Sequence, residues 1–206
     1  MTGTIEWIGT AWRLWNVGGL LPAPRLINPW ETSGMTYTWQ PGTVQTARCF
    51  WMKPMRSSGF VFYADSPEWA RDLGLVCQGL VAEACTCGIR SMMTLANLAA
   101  FWGAHPDVPH RASVVGRIRY GGKVQHRIPD LKVREGYTRS EYAELVGPLF
   151  VSPFGGAGWR AGRLASEYAP IELFGPEHIV DAADTHDWLE KLAERVEPTL
   201  CNGKRI

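Results

Sequence analysis

The sequence has almost no net charge, no long apolar run and no catalytic motif of high specificity. Its 21 Lys and Arg residues are balanced by 20 Asp and Glu, so no general attraction draws it to nucleic acid or to an anionic membrane. No apolar run reaches the roughly 20 residues that a membrane-spanning helix needs. The glycine-rich segment 153–163 lacks the Lys-Ser/Thr that completes a phosphate-binding loop. These absences predict a globular protein with no membrane association and no nucleotide-binding loop.

The first residues also lack a secretory signal, because no basic segment precedes an apolar stretch there. The chain has five cysteines, which is an odd number. We therefore expect a cytoplasmic protein, in which thiols stay reduced and are free or bound to metal.

Tryptophan, by contrast, is abundant. Ten tryptophans accompany seven Phe and six Tyr, and 46% of the residues are apolar. Large aromatic side chains stabilise cores through the area they bury, but they are also enriched at the centres of protein interfaces. The composition thus predicts a substantial core and leaves open whether some tryptophans form a partner surface.

Hydrophobic periodicity predicts an α+β fold, mainly antiparallel β-sheet with three to four short helices. Residues 4–17 are rich in β-branched and aromatic side chains, which indicates strand. A helix is predicted over 91–103, capped by Ser91 and ended by Gly103, and another over Thr185–Val196, capped by Asp184. We expect a core domain over 1–151, with a glycine-rich loop and a helical extension over 152–206 packing on it.

The stretch before the first of these helices, Cys85-Thr86-Cys87-Gly88, is similar to half of a zinc knuckle. Two thiolates from one tight turn can share a tetrahedral ion, and the glycine lets the backbone approach closely. Only one residue separates the cysteines, and no second complete pair follows. A zinc site would therefore need a distant ligand, for which Cys49 is the first candidate. No cofactor is certain, and zinc is the one to test.

Two other interpretations of these cysteines stay open. They are ordinary buried thiols in one. In the other, a thiol activated by a helix N-terminus acts as a nucleophile with a histidine such as His126 as base.

Segment 112–128 is predicted to form a hairpin with its turn at Gly121-Gly122. Four basic residues lie along it: Arg117, Arg119, Lys123 and Arg127. They could contact the phosphates of a nucleic acid. The alternative is a solvated face that protects a sheet edge from pairing with another chain. Further on, Thr138-Arg139-Ser140-Glu141 fits a capping box and predicts a helix over 138–146.

The order of several motifs resembles a group of small proteins from actinobacteria and their phages. The motifs are Ala47-Arg48-Cys49, the turn Cys85–Ile89, the paired segment Val115–His126 and the segment Glu135–Ala143. In that group a C-x-C-G-I turn precedes a V-x-G-x-V hairpin, a histidine and a GYRAEYA-like segment. The resemblance covers about Thr10–Val151 and carries no activity with it. It implies a phage or mobile-element origin, and a strand rather than a helix after Gly136.

Taken together, these features predict a non-enzymatic protein-interaction protein, phage-encoded and acting on a host protein. The unidentified protein partner would bind an exposed aromatic patch. The alternatives are a nucleic-acid-binding protein that uses the basic hairpin, and a metal- or cysteine-dependent enzyme.

Overall fold

The fold is α+β and mainly antiparallel, as predicted. The computed structural model describes residues 4–18, 25–27, 38–47, 51–54, 60–63, 81, 88–103, 114–126, 136–154, 161–175 and 181–197. The strands are β1 (Trp7–Gly18), β2 (Arg25–Ile27), β3 (Thr38–Trp39), β4 (Val44–Thr46), β5 (Trp51–Pro54), β6 (Phe60–Tyr63), β7 (Ile89–Met92), β8 (Val114–Gln125), β9 (Tyr137–Val151) and β10 (Leu173–Phe174). The helices are α1 (Leu95–Gly103), α2 (Ala161–Glu167) and α3 (Thr185–Val196).

Eight of these strands belong to one sheet, and β5 and β6 form a second, two-stranded sheet. Within the large sheet, β8 lies between β1 and β9. Strand β7 pairs with the opposite edge of β1 and with the opposite edge of β9. The ladders β1–β8–β9–β7–β1 therefore form a closed ring. Strands β2, β4 and β10 add to the outer parts of β1 and β9, and the pair of β9 with β10 is the one parallel ladder among the described strands.

The core consists of two clusters, one on each face of the sheet. Each can be followed through cross-strand partners, because directly opposed residues share a face of the sheet. Leu14, Val115 and Phe150 form one row, and they pack with α1 and α3. Val114 and its partners lie on the other face with the second cluster. Those partners are Trp15 and Val151. The long, continuous strands β1, β8 and β9 thus separate two apolar cores.

The predicted helix α3 is confirmed with its bounds and its cap. The Asp184 carboxylate accepts from Asp187 N at 2.9 Å, and the buried face includes Trp188, Leu189 and Leu192. A hydrogen bond from Lys191 lowers the pKa of Asp187, whose carboxylate also accepts from the amide of residue 183. Local signals suffice here because capping and apolar periodicity agree.

Helix α1 includes Gly103 as its last described residue, but Ser91 as its cap was wrong. Ser91 pairs with Thr138 in the β7–β9 ladder, so the chain must leave the sheet before it can coil. The cap is Thr94, whose Oγ1 accepts from Asn97 N at 3.0 Å.

The helix predicted over 138–146 was also wrong, since these residues lie within β9. Thr138 and Ser140 are fully buried, and Ser140 has ladder partners on both sides, in β7 and in β8. Such pairing outweighs a capping box, whose contribution is only about 1 kcal/mol. The strand implied by the resemblance is present.

The sequence also predicts a helix from Ser66 to about Leu73, because Ser66-Pro67-Glu68 is typical of a helix start. That segment lies outside the described residues, and the helix stays a prediction. The C-terminal segment contributes Trp188, Leu189 and Leu192 to the same core cluster as α1. None of the helices described here is long and apolar enough to cross a membrane.

Candidate interaction surface

The face of the sheet that holds Leu14, Val115 and Phe150 has two halves. The covered half consists of Trp12, Leu14, Val115 and Phe150, which are buried beneath α1 and α3. The open half consists of two cross-strand rows further along the same strands, together with Arg117, Ile8 and Val146 beside them. The first row is Thr10, Arg119, Glu144 and Val44, and the second is Trp7, Gly121, Tyr142 and Thr46.

Three apolar side chains of the open half are exposed. Ile8 is 51% exposed at a bulge in β1, Val44 is 36% exposed on β4, and Val146 is 41% exposed on β9. Among the described residues, Met93 is the fourth large apolar side chain exposed to this degree. It lies after β7 and contacts the hydroxyl of Tyr120, a residue of the opposite face. Exposed apolar side chains therefore concentrate on the open half.

Arg119 occupies the centre of the open half and is held on two sides. Its guanidinium carbon lies 4.3 Å from the centroid of the Trp7 ring, and its Nε donates to Glu144 at 2.7 Å. Cation–π stacking and the ion pair together restrict a side chain that is otherwise half exposed. The result is a flat, ordered group in the middle of the surface.

Gly121 allows the backbones of β1 and β8 to approach each other closely beside Arg119. A Cβ at Gly121 would come within 2.2 Å of the Glu6 carbonyl oxygen, and Gly122 N donates to that oxygen at 3.2 Å. Gly122 has a φ of +71°. The glycine pair therefore serves close approach between β1 and β8 and a register shift against β9.

The predicted hairpin over 112–128 was wrong for this reason, since Val114–Gln125 is one continuous strand. The accompanying idea of edge protection also fails, because β8 has neighbours on both sides. In the sequence, a Gly-Gly pair between two alternating segments is typical of a hairpin turn. Their contacts with β1 and with the Tyr142 ring are long-range, and local pattern does not reveal them.

The basic residues on β8 are partly compensated by acids on β9. Arg119 pairs with Glu144, and the Glu141 carboxylate accepts from the backbone of Lys123. Glu141 also raises the pKa of Tyr142, through a hydrogen bond and through its charge. Arg117 donates to Thr10 Oγ1 at 2.9 Å and has no carboxylate within ion-pair distance among the described residues. Arg127 lies outside the described residues.

Most of the tryptophans whose burial is described belong to the core. Of the six whose burial is described, Trp7 alone is partly exposed, at the rim of the open half. The five buried ones are Trp12, Trp15, Trp39, Trp102 and Trp188. The apolar character of the open half therefore comes mainly from aliphatic side chains, which a count of aromatic residues does not indicate.

The predicted zinc ligands Cys49, Cys85 and Cys87 all lie outside the described residues, so zinc binding stays a prediction. Gly88, directly after them, has a φ of +121°, and a Cβ there would lie 3.1 Å from the Arg139 Cβ. A glycine is thus required at position 88, where the backbone lies close to Arg139 of β9. His126 is described and exposed. Within the described ranges, no group of three or more His, Cys, Asp or Glu side chains could hold a metal ion.

No family model matches the chain, and no curated protein or solved structure shows significant similarity to it.

Proposed function

We propose that this chain is a non-enzymatic protein-binding protein whose open half docks on an acidic, partly apolar surface of another protein. The observation that carries the proposal is the grouping of exposed Ile8, Val44 and Val146 around a fixed Arg119. Protein interfaces bury such apolar groups at the centre and enclose them with polar residues.

The exposed aliphatic side chains supply the affinity. In the covered half the corresponding positions pack beneath helices, whereas Val44 and Val146 remain more than one-third exposed. Removing apolar area from water contributes roughly 25 cal/mol per Å², and the affinity is what remains after the entropic cost of association. A partner surface with its own apolar side chains therefore fits best.

The restrained side chain of Arg119, at the centre of the open half, lowers the entropic cost of binding. Arg119 is already restrained by Trp7 and Glu144 in the free protein. Side chains that are fixed before binding lose less freedom in the complex. Arg and Trp are also the residue types most often found at the energetic centres of interfaces.

Charge indicates the character of the partner. Arg117 is exposed beside Trp12, at the border with the covered half, and Lys123 is exposed near the other end of β8. Glu144 already neutralises Arg119, and the Glu141 carboxylate lies at the Lys123 backbone, so Arg117 is the cation left without an acidic partner among the described residues. An acidic group on the partner would complement Arg117 and speed association. The resemblance to phage proteins suggests that the partner is a host protein.

The same basic residues also allow nucleic-acid binding as an alternative. Phosphate binding scales with the number of uncompensated cations, and the ion pair with Glu144 removes Arg119 from that number. The compensation favours a protein partner. An enzyme that depends on the cysteines stays an untested alternative, since those residues are not described.

Site-specific photo-cross-linking in host cells tests the proposal. A photoreactive amino acid replaces Val44 in one variant and Met93, an equally accessible control on the other side of the sheet, in a second. We expect one host protein to be cross-linked from position 44 and not from position 93. The same adduct from both positions would contradict the proposal. So would retarded migration of DNA or RNA by the purified protein at low salt, which would favour the nucleic-acid alternative.

A further inference from the structure

Strand β9 bulges away from β8 beside the open half. The β8–β9 pairing stops at Leu145 and resumes at Leu149, whereas β8 has only Arg117 in the same interval. The residues of the bulge are Val146, Gly147 and Pro148. All three line a cleft of about 350 Å³ that opens at the surface. Bulges often occur next to functional sites, where they redirect side chains.

The other wall of the cleft is the segment between α2 and β10. It contributes Pro170, Ile171 and Glu172. Leu149 pairs with β8 and with β10, so these two strands lie on opposite edges of β9. Glu172 directly precedes β10, and Arg117 lies in β8. The two charged residues therefore lie on opposite sides of the bulge.

Both walls are held in place before anything binds. Leu149 N donates to the carbonyl oxygen of Glu172 at 2.9 Å. Ile171 N donates to the carbonyl oxygen of Tyr168, also at 2.9 Å, and Tyr168 is buried. The walls approach closely at Gly147, where a Cβ would lie 2.4 Å from Ile171 Cγ2. A cleft that is formed in advance loses little freedom when it is filled.

The lining of the cleft combines apolar side chains with one carboxylate. Val146 is exposed there, and Pro148, Pro170 and Ile171 add further apolar groups. No lining side chain can donate a hydrogen bond, and Glu172 carries the one charge of the lining. Glu172 is exposed, and within the described ranges no cation lies at ion-pair distance from it. The cleft therefore suits an occupant with an apolar stem and a positively charged donor.

The edge of β9 at this cleft does not suit the addition of a strand from a partner. An added strand needs amide donors along the edge, and Pro148 has none. Gly147 has a φ of +73°, which departs from the extended backbone of a strand. The cleft therefore fits a side chain rather than a segment of backbone.

We propose that the cleft receives an arginine side chain of the partner protein, whose guanidinium pairs with the Glu172 carboxylate. Arginine joins an apolar stem to a planar, charged group that matches a carboxylate in shape. The assignment rests on the proposed function, because it takes the occupant from a protein docked on the open half.

Val146 belongs both to the open half and to the cleft, so one partner surface would contact both. That surface would present an acidic group to Arg117 and an arginine to Glu172, on opposite sides of Val146. Two charge pairs of opposite sense fix the orientation of the partner and disfavour surfaces with the reverse order.

NMR titration of the full chain with capped single amino acids tests the cleft without the partner. The probe is N-acetyl-arginine N-methylamide, and citrulline in the same capped form is its uncharged match. We expect the arginine probe to shift the methyl signals of Val146 and Ile171 saturably, and the citrulline probe to shift them much less. Glu172→Gln should weaken the apparent affinity for the arginine probe by about fivefold. Glu167→Gln is the matched control, because Glu167 is also exposed but does not line the cleft, and it should leave that affinity unchanged.

Absence of any shift, or equal shifts with the arginine and citrulline probes, would overturn the proposal. Equal affinities of the wild-type and Glu172→Gln proteins would do the same. Larger shifts with capped lysine or capped leucine would also overturn it, and would assign the cleft to an ammonium or to an aliphatic side chain.

The titration and the cross-linking experiment fail independently. A cleft that binds no arginine leaves the docking of a partner on the open half to the cross-links from position 44. Arginine binding without a cross-linked partner would refute docking on the open half, and would leave the cleft as an arginine site.

Discussion

The covered and open halves share three strands and one sheet face, yet they bury very different fractions of their side chains. Trp12 is 5% exposed beneath the helices, whereas Ile8, four residues earlier on β1, is 51% exposed. The contrast arises because α1 and α3 pack over one end of the face only. Strand sequence alone therefore does not decide which part of a sheet is core. The position of covering helices decides it.

Removing one tryptophan from each half should give the largest difference in the free energy of unfolding. Trp12→Ala empties a site in the core beneath the helices, and should lower the free energy of unfolding by about 3–5 kcal/mol. Trp7→Ala removes a partly exposed ring from the same strand, and should cost about 1 kcal/mol. Urea denaturation measures both values. Equal losses would show that the open half is as tightly packed as the covered half.

The carboxylate of Glu197 joins three elements of the covered half. It accepts from Trp12 Nε1 at 2.7 Å and from the backbone N of Leu95, in the first turn of α1, at 2.9 Å. Glu197 itself follows α3. Glu197→Ala should cost about 1–3 kcal/mol, because two largely buried donors lose their acceptor.

Glu190→Ala is the control for this change, since the side chain of Glu190 is 57% exposed on α3. Its effect on the free energy of unfolding should stay within about 0.5 kcal/mol. A comparable loss in the two variants would mean that charge on α3, rather than these hydrogen bonds, stabilises the covered half.

The ion pair in the open half should have the smallest effect. A double-mutant cycle with Arg119→Ala and Glu144→Ala should give a coupling energy of about 0.5–1 kcal/mol, since the Arg119 side chain is 42% exposed. The coupling should shrink in 1 M salt, where the screening length falls to about 3 Å. A salt-independent coupling above about 2 kcal/mol would place the pair in a desolvated environment, contrary to an open surface.

Sequence reasoning succeeded where local signals and tertiary packing agree. Helix α3 has a cap and a continuous apolar face, and both remain in the fold. It failed where distant strands decide. Thr138 begins a capping box by sequence, but lies in a strand opposite Ser91. Gly121 suggests a turn by sequence, but its role is close contact with the backbone of Glu6.

The open half could be predicted only in fragments. The sequence predicts that the basic residues Arg117, Arg119 and Lys123 lie close together along segment 112–128. Their neighbours on the surface are not predicted, because Trp7 and Val44 come from strands far away in the chain. The cross-strand rows that bring these residues together depend on the register of four strands, and a register is set by long-range packing.

The most direct test of a docking surface on the open half is calorimetric titration of the purified partner identified by cross-linking. Val44→Glu places a negative charge where we expect an apolar and acidic partner surface, and should weaken the affinity by about tenfold or more. Met93→Glu makes the same kind of change on the other side of the sheet, and should alter the affinity by less than about twofold. Equal affinities for wild-type, Val44→Glu and Met93→Glu proteins would contradict the proposal that the open half binds the partner.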